Sequence, residues 1–266
     1  MDFGLEGASA FVAGASSGLG KAIAAELVKE GCNVAICSRD HARVEAAAEE
    51  LGPLGKGRAF PVVCDVTDET EIQSALKQAA ETLDGLNILV TNAGGPPSGF
   101  VDDFDANAWR ESLELNLMST INLSRHALPY LRAAAKDSFA SILMITSLTS
   151  KQPVPSLYLS NVSRAGVQGF AKSLSEELGP EGITVNTILP GYTRTNRLRQ
   201  LSNEQSKRSG QSIDEIEAEW GQNCALRRIG TESEFAAAAT FLLSRRASYI
   251  TGIALSVDGG AVKSLL

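Results

Sequence analysis

Two hydroxyl groups and one cation near the middle of the sequence are of residue types that can take part in chemistry. Ser147 ends an apolar run, and Ser160 and Arg164 lie near the start of a segment, Leu157 to Leu178, that predicts a long helix. An aliphatic hydroxyl is a weak acid, and the pKa of a guanidinium lies above about 12, so neither exchanges protons readily near neutral pH. Both groups can polarise a carbonyl, and the guanidinium can stabilise negative charge that develops on its oxygen. Residues of these types can therefore stabilise charge more readily than they transfer a proton.

A tyrosine beside these residues offers a stronger acid, because an unperturbed phenol has a pKa near 10. Tyr158 lies two positions before Ser160, and two helical positions turn a side chain by about 200°, away from Ser160. Two prolines place the start of the helix close to Ser156, so Tyr158 falls in the first turn, where its direction is less constrained. Tyr158 is thus a second candidate for the acid, and its alternative role is a partly buried aromatic side chain lining a cleft. The alternatives are an ion pair or a subunit contact for Arg164, and a small side chain that leaves space for substrate at Ser160.

A glycine-rich loop follows the first predicted strand and precedes the first predicted helix. Its residues are Gly14, Ala15, Ser16, Ser17, Gly18, Leu19 and Gly20. Glycines let the backbone turn tightly and approach a diphosphate, whose charge is favoured at the amino end of a helix. A tight turn without a ligand is the alternative, but the order of strand, loop and helix favours dinucleotide binding.

The second predicted strand ends in residues that bear on which dinucleotide is bound. A carboxylate at this position would bind the ribose 2′-hydroxyl of NAD, whereas Ser38 and Arg39 suit a 2′-phosphate. Asp40 weakens the local positive field, and a solvated loop arginine is the alternative interpretation. We therefore predict NADP(H) as the cofactor, in preference to NAD(H).

Short apolar runs and amphipathic segments alternate along the whole chain. The predicted strands are Ser9 to Ala13, Cys32 or Asn33 to Cys37, Arg58 to Cys64, Leu86 to Thr91, Ser141 to Thr146, Thr184 to Ile188 and Ile253 to Val257. The predicted helices are Lys21 to Glu30, His41 to Leu51, Glu69 to Leu83, Ala106 to Arg132, Leu157 to Leu178 and Glu234 to Ser244. Continuous β-branched runs separated by helices predict a parallel sheet covered on both faces, with ligands at the carboxyl ends of its strands. The fold class is therefore α/β, a single-domain Rossmann-type doubly wound parallel sheet of about seven strands spanning residues 1–266.

One long segment, about residues 192–230, lies between the sixth and seventh predicted strands and is predicted to be irregular, apart from an acidic stretch, Asp214 to Glu219, that predicts a helix. Such an insertion is typical of a lid or a substrate loop. Between Arg194 and Arg208 it carries five basic residues and one acid, Glu204. This charge can steer an anionic substrate, such as a carboxylate or a phosphopantetheine-linked acyl group, and a solvated loop or helix face is the alternative.

Composition excludes several classes of protein. The formal net charge of −7 argues against a surface that binds nucleic acid. The four cysteines lack Cys-x-x-Cys spacing and the two histidines are scattered, so no metal site is predicted. The chain has no long apolar stretch and no signal peptide, so we expect a cytoplasmic protein without membrane association that acts on a small-molecule substrate.

Several motifs, taken together and in order, resemble those of the short-chain dehydrogenase/reductases, in the single-domain branch that includes 3-oxoacyl-acyl-carrier-protein reductases. The resemblance spans nearly the whole chain. The matching residues are Gly14, Gly18, Gly20, Asp65, Val66, Asn92, Ala93, Gly94, Gly95, Asn116, Ser147, Pro190, Gly191, Thr193, Asp258, Gly259 and Gly260.

The resemblance implies roles for these residues. Asp65 and Val66 would contact the adenine, and the segment Asn92 to Gly94 would lie beside the cofactor. Pro190, Gly191 and Thr193 would cradle the nicotinamide. The resemblance also implies that Asn116 is the asparagine of the active-site helix, that Ser147 is the catalytic serine, and that the protein is a homodimer or a homotetramer.

The chain departs from the family at the tyrosine that exchanges the proton and at the lysine four positions later, which binds the nicotinamide ribose and makes the phenol more acidic. One register places this pair at Tyr158 and Val162, and the other places it at Ser160 and Arg164. The second register aligns Ala165-Gly166-Val167 without a gap and keeps the usual interval from the catalytic serine. The lysine is absent in either register, but in the second register the guanidinium of Arg164 keeps the positive charge and can hydrogen-bond the ribose hydroxyls of the cofactor, so Arg164 is also a predicted cofactor-binding residue.

These observations predict an NADP(H)-dependent reductase of a carbonyl or a conjugated enone, in which Ser160 and Arg164 alter the delivery of the proton. Hydride addition to the β-carbon of an enone yields an enolate, which needs charge stabilisation more than a strong acid. The alternative is a nucleotide-binding relative with little catalysis that acts as a sensor or as a structural subunit.

Overall fold

One parallel sheet positions every other element of the molecule. In the computed structural model, which describes residues 2–265, the sheet has seven strands. They are β1 Ser9–Val12, β2 Asn33–Ser38, β3 Ala59–Val63, β4 Ile88–Thr91, β5 Ala140–Ile145, β6 Ile183–Pro190 and β7 Ala254–Val257. Their order is β3-β2-β1-β4-β5-β6-β7, and every pair is parallel. The order reverses between β1 and β4, which opens a crevice at the carboxyl ends of the strands, so the predicted doubly wound α/β fold is confirmed.

Helices cover both faces of this sheet. They are α1 Gly18–Lys29, α2 His41–Leu51, α3 Glu69–Leu83, α4 Ala106–Leu113, α5 Ser119–Asp137, α6 Tyr158–Leu178, α7 Asn196–Ser209, α8 Ile213–Asn223 and α9 Glu232–Leu243. One apolar core packs α1, α2 and α9 against the sheet, and a second core packs α3, α5 and α6. Ala10 and Val12 belong to the first core and Phe11 and Ala13 to the second, because successive strand residues point to opposite faces. Between residues 2 and 265, no helix has both the length and the apolar character needed to cross a membrane.

The long helix predicted from Ala106 to Arg132 is interrupted. A π-helical turn, Glu114–Met118, separates α4 from α5. Within the turn the regular ladder is broken, and the Thr120 hydroxyl donates to the backbone oxygen of Asn116 at 2.9 Å. A π-helical turn adds one residue, which rotates the side chains that follow it by about 100° around the helix axis. The apolar periodicity of the sequence does not reveal this rotation.

The segment predicted to be irregular, residues 192–230, instead contains two helices, α7 and α8. The Thr195 hydroxyl caps α7 by accepting a hydrogen bond from the backbone N–H of Leu198 at 3.1 Å. The helix predicted at Asp214 to Glu219 is confirmed as part of α8. The buried residues of a small separate core beneath these helices are Leu198, Ile216 and Trp220. The sequence of α7 is mostly polar, so its apolar stripe is too narrow for periodicity to predict the helix.

Candidate active site

A large cavity opens at the carboxyl ends of the strands, over the crevice between β1 and β4. Its volume is about 560 Å³, and it extends from the glycine loop to α7. The predicted site residues that line it are Gly14, Ser17, Gly18, Leu19, Asn92, Ala93, Gly94, Ser147, Ser160, Arg164, Pro190, Gly191 and Thr193. Cavities of this size and position typically hold small ligands.

The glycine loop closes tightly against the end of β4. Gly14 and Gly18 have positive φ angles, 58° and 63°, which only glycine adopts without strain. A Cβ on Gly20 would lie 2.6 Å from the backbone oxygen of Gly14, and the same oxygen accepts a hydrogen bond from Asn92 Nδ2 at 3.0 Å. The loop therefore has no room for a side chain at Gly14 or Gly20, whereas at Gly18 only the positive φ angle favours glycine.

The amino end of α1 is open toward the cavity. Ser17 precedes the helix and forms no side-chain cap, and the first turn contains no acidic residue. The unpaired N–H groups of this turn and its helix dipole fit the diphosphate of a dinucleotide. Arg43, which the sequence interpretation missed, donates from Nη2 to Ser17 Oγ at 3.4 Å and adds positive charge here. Ser16 and Gly20 belong to the same loop but do not line the cavity.

The residues predicted for the adenosine half lie outside this cavity, at the ends of β2 and β3. Ser38 is buried, Arg39 is exposed, and Val66 is partly buried against the second core. The Asp65 carboxylate accepts hydrogen bonds from the backbone N–H and the hydroxyl of Thr67, at 2.9 and 2.8 Å. These bonds, with a smaller contribution from the charge of Arg39, lower the pKa of Asp65. The charge of Arg39 thus lies near the strand ends where doubly wound folds bind the outer ribose.

Three residues that carry hydroxyl groups are linked on the cavity wall near β5, through one backbone N–H and one bond between hydroxyls. Ser147 Oγ accepts a hydrogen bond from the backbone N–H of Thr149 at 3.1 Å, and this bond caps a short turn. The hydroxyls of Thr149 and Ser160 share a hydrogen bond at 3.1 Å. Thr149 was missed in the sequence, although it stands two residues after Ser147 in a polar run. The structure therefore brings Ser147 and Ser160 together through Thr149.

Arg164 forms the floor of the cavity between β4 and β5. It is only 7% exposed, and its Nη1 donates to the backbone oxygen of Ile145 at 2.8 Å. Its Nη2 lies 3.5 Å from the backbone oxygens of Ala93 and Gly94, and its buried Nε has no hydrogen-bond partner. Burial, with a smaller contribution from the charge of Arg197, lowers the pKa of Arg164 to about 10, so the guanidinium stays charged at neutral pH.

Two predicted catalytic residues do not line the cavity. Asn116 is buried in the π-helical turn, where its Nδ2 donates weakly to the backbone oxygen of Ser112 at 3.4 Å and its Oδ1 has no partner. Tyr158 is 39% exposed, and its ring centroid lies 6.4 Å from that of Phe100. The structure does not bring Tyr158 together with Ser160, and its ring does not lie on the cavity wall.

The segment after β6 borders the opposite side of the cavity. Pro190 ends the strand, and a Cβ on Gly191 would lie 2.5 Å from the Cβ of Asp258. Glycine is therefore required where these two turns touch. Thr193 is buried and forms a bridge with Gly230, which joins the two ends of the lid.

The lid contributes an apolar wall and two cations that the sequence did not single out. Tyr192 and Trp220 line the cavity as stacked rings, with centroids 5.3 Å apart and planes inclined by 11°. Burial raises the pKa of the Tyr192 phenol, so its hydroxyl stays protonated. Of the basic residues between 194 and 208, only Arg197 and Arg208 line the cavity. Tyr192 directly follows the Pro190-Gly191 motif, which was the available signal for it.

Comparison with known proteins identifies the family. Residues 14–262 match the family described as enoyl-(acyl carrier protein) reductase. The chain is 33% identical over 256 residues to the 3-oxoacyl-acyl-carrier-protein reductase FabG of Haemophilus influenzae, which covers 96% of this chain and 98% of that one. It is 34% identical over 255 residues to FabG of Escherichia coli, covering 96% and 97%. The chain belongs to the short-chain dehydrogenase/reductase family, within the group similar to 3-oxoacyl-acyl-carrier-protein reductases.

Solved structures of this fold carry related activities. The L-sorbose reductase from Gluconobacter frateurii, complexed with NADPH and L-sorbose, superposes with a TM-score of 0.93 at 30% identity over 100% of both chains. An actinorhodin polyketide ketoreductase with NADPH gives a TM-score of 0.90 at 29% identity, covering 97% of this chain and 98% of that one. These relatives support an oxidoreductase of the same family.

Proposed function

We propose that this chain is an NADP(H)-dependent reductase that acts on a carbonyl or a conjugated enone of a small molecule. The observation that carries the proposal is Arg164, a buried guanidinium on the cavity wall whose pKa is affected by no carboxylate among residues 2–265. A buried charge without a counter-ion is costly. Negative charge that develops on a substrate oxygen in this cavity would offset that cost and be stabilised in return.

The cofactor assignment rests on the residues around the open end of α1. The glycine loop and the amino end of this helix would hold the diphosphate, and Arg39 and Arg43 would bind a 2′-phosphate beside Ser38. Asp65, Val66, the segment Asn92 to Gly94 and the turn after β6 would hold the adenine and nicotinamide portions. When bound, NADPH supplies the hydride. The structural neighbours described above, which contain NADPH, support this choice over NADH.

The hydroxyl cluster would orient the substrate oxygen. Ser147 and Ser160 can donate hydrogen bonds to it, and Thr149 links them, so a proton can move along the Ser160–Thr149 hydrogen bond. Because aliphatic hydroxyls are weak acids, this chain of hydroxyls is a poor general acid. An enone suits such a site better than a saturated ketone does, because its enolate product is stabilised by the charge of Arg164 before any proton is needed.

The test is consumption of NADPH by the purified protein with conjugated enones, matched saturated ketones and β-ketoacyl thioesters. A missing general acid handicaps an alkoxide-forming reaction by roughly 100-fold, so we expect enones to be reduced faster than matched ketones by up to that factor. NADPH that binds but is oxidised by no member of the panel would contradict the proposal.

A second candidate function is a nucleotide-binding protein with little catalysis. The observation that favours it is that both Nη atoms of Arg164 lie against backbone oxygens, as in a structural brace, while Ser160 is bonded to Thr149. This candidate predicts ordinary affinity for NADPH and no turnover. The double variant Ser160→Tyr with Arg164→Lys would then acquire ketone reductase activity that the natural chain lacks.

We further propose that the protein assembles as a homodimer or homotetramer, as the family resemblance implies. Sedimentation velocity over a range of protein concentrations measures this directly, and a single monomeric species would contradict it. The cytoplasmic compartment stays a prediction, which fractionation of cells that express the chain would test.

A further inference from the structure

We propose that the substrate carries an anionic group that Arg197 and Arg208 bind at the lid end of the cavity. This inference rests on the proposed function, because it names the class of substrate that the same cavity accepts. It commits to a small, partly apolar enone or ketone with a carboxylate or a similar anion separate from its reacting oxygen.

The charge of the cavity wall has a single sign. The charged side chains that line it among residues 2–265 are Arg164, Arg197 and Arg208, and none is acidic. The whole chain has a formal net charge of −7, so the positive lining is local and runs against the overall charge. A concave surface of one sign concentrates ligands of the opposite sign.

Arg197 and Arg208 converge on the loop that follows β4. Arg197 Nη2 donates to the backbone oxygen of Pro96 at 2.5 Å, and Arg208 Nη2 donates to Ser98 through both its hydroxyl and its backbone oxygen. Pro96 and Ser98 are two residues apart, so their backbone oxygens are separated by about 7 Å at most. A guanidinium has five N–H donors, and these contacts engage a single nitrogen on each arginine.

The nearest acid does not neutralise this pair. Glu204 accepts hydrogen bonds from Ser98 at 2.5 Å and from Gln200 at 2.8 Å through its two carboxylate oxygens. Burial lowers the pKa of Arg197 by more than the charge of Glu204 raises it, as expected for a partly desolvated cation. A ligand carboxylate could form a bidentate pair with such a fork.

The other basic residues of the segment provide an internal comparison. Arg194, Arg199 and Lys207 do not line the cavity, although the sequence spaces them among the two that do. Arg197 is partly buried, and Arg208 lines the cavity although it is exposed. The positive lining therefore comes from the direction of two particular side chains and not from the general charge of α7.

An apolar wall lies on the same side of the cavity. The stacked rings of Tyr192 and Trp220 line it together with Leu198 and Leu201. Leu198 and Leu201 belong to the same helix, α7, as the two cations, so apolar or aromatic groups of a ligand bound by these cations are favoured beside the wall. The wall and the two cations together select an apolar acid over a neutral sugar or an alcohol.

The experiment compares two ligands that differ in charge and little in shape, benzoylacrylate and its primary amide. Both are titrated by calorimetry into the full-length protein, with and without NADP⁺, which supplies no hydride and therefore permits binding without reduction. The variants are Arg208→Gln and Arg197→Lys, and the matched control is Arg199→Gln, which removes an exposed charge from the same helix.

We expect the acid to bind the natural protein about tenfold more tightly than the amide, as a charge-assisted pair requires. Arg208→Gln should remove this preference and leave amide and NADP⁺ affinities unchanged, because Arg208 lies at the end of the cavity distant from the glycine loop. Arg197→Lys keeps the charge but loses the fork, so the preference should fall by a few-fold. Arg199→Gln should retain it.

Several results would overturn the inference. One is that the natural protein binds the acid and the amide equally, or does not bind the acid at all. Another is that Arg199→Gln loses the preference for the acid. A third is that Arg208→Gln loses affinity for the acid and the amide equally, which would show that Arg208 only holds the lid in place. Measurement of NADPH oxidation tests the proposed function separately. Charge discrimination without turnover removes the reductase assignment alone, and turnover without charge discrimination removes this inference alone.

Discussion

The two ends of the cavity are constructed differently. At the cofactor end the backbone makes the shape, since Gly14 and Gly20 leave no space for a Cβ and the amides of α1 face the cavity. At the catalytic end the side chains of Thr149, Ser160 and Arg164 make the site. A site formed by backbone atoms requires glycine at a few positions. A site formed by side chains can change its chemistry through a single substitution, without disturbing the sheet. Activity in this chain must therefore be judged at the catalytic end.

A buried arginine is tolerated at the proposed catalytic end because Arg164 has acceptors to bind. Its guanidinium reaches the backbone oxygens of Ile145, Ala93 and Gly94, where two neighbouring strands end. These contacts orient the cation toward the cavity without an acidic partner. The same geometry can either stabilise a substrate oxyanion or merely brace two strands, and the predictions below separate these roles.

The largest effect is expected at the catalytic end, from Arg164→Met. Loss of a preorganised positive charge beside the substrate oxygen should lower kcat/KM roughly 100- to 1,000-fold. The affinity for NADPH should fall less than about tenfold, because the diphosphate is held by backbone groups. Steady-state kinetics and fluorescence titration with NADPH measure the two quantities, with exposed Arg199→Gln as the control. Unchanged kcat/KM would show that Arg164 is only a brace.

The same residue predicts a dependence on pH. Burial lowers the pKa of Arg164 from the usual guanidinium range to about 10. Between these values the unfolded chain binds more protons at this residue than the folded chain, so this residue makes the free energy of unfolding increase with pH. Oxyanion stabilisation is lost over the same rise in pH because the charge disappears. The pH–rate profile of the natural protein should fall through about pH 10 while circular dichroism still reports folded protein, and Arg164→Met should lack this step.

At the cofactor end, one methyl group should be enough to disrupt the site. A Cβ at residue 20 would lie 2.6 Å from the backbone oxygen of Gly14, so Gly20→Ala should lower the free energy of unfolding by about 1–3 kcal/mol. Displacement of the loop should weaken NADPH binding roughly 100-fold. The control is Gly169→Ala, in the interior of α6 with nothing within 4 Å of the added Cβ, which should stabilise the protein by about 0.5–1 kcal/mol. Normal NADPH affinity in Gly20→Ala would refute the backbone account.

A smaller effect is expected from Arg43→Gln, which tests the choice between the two nicotinamide cofactors. An exposed arginine beside a phosphate contributes modestly, so the affinity for NADPH should fall about tenfold while that for NADH stays the same. Arg110→Gln removes an exposed charge from α4 and serves as the control. Equal losses for NADPH and NADH would assign Arg43 to the diphosphate instead of the 2′-phosphate.

The smallest effect is expected from Tyr158→Phe. The ring of Tyr158 packs near Phe100 and does not line the cavity, so removal of its hydroxyl should change kcat by less than about twofold. Ser160→Ala is the comparison, because it removes a hydroxyl that lines the cavity. A tenfold loss in Tyr158→Phe would make Tyr158 the acid and would require the first turn of α6 to rearrange when substrate binds.

Much of the scaffold could be predicted from the sequence, because the relevant signals are local or periodic. Strands buried on both faces appear as apolar runs, and the loop from Gly14 to Gly20 is recognisable from its spacing between a strand and a helix. The interruption of the helix at Glu114–Met118 was not predictable from periodicity. Nor was α7, whose polar sequence folds over a core assembled from residues distant along the chain, including Trp220.

By itself, the sequence determined that the chain forms a doubly wound sheet with a glycine loop at the first crossover, and that the expected tyrosine and lysine pair is absent, since these depend on residue type and spacing alone. Only the tertiary structure decided which groups share the cavity: that Thr149 joins Ser160, that Tyr158 does not line it, and that Arg197 and Arg208 do. The physical reason is that side-chain direction depends on how a helix packs over the sheet. Charge counted along α7 carries no information about that packing.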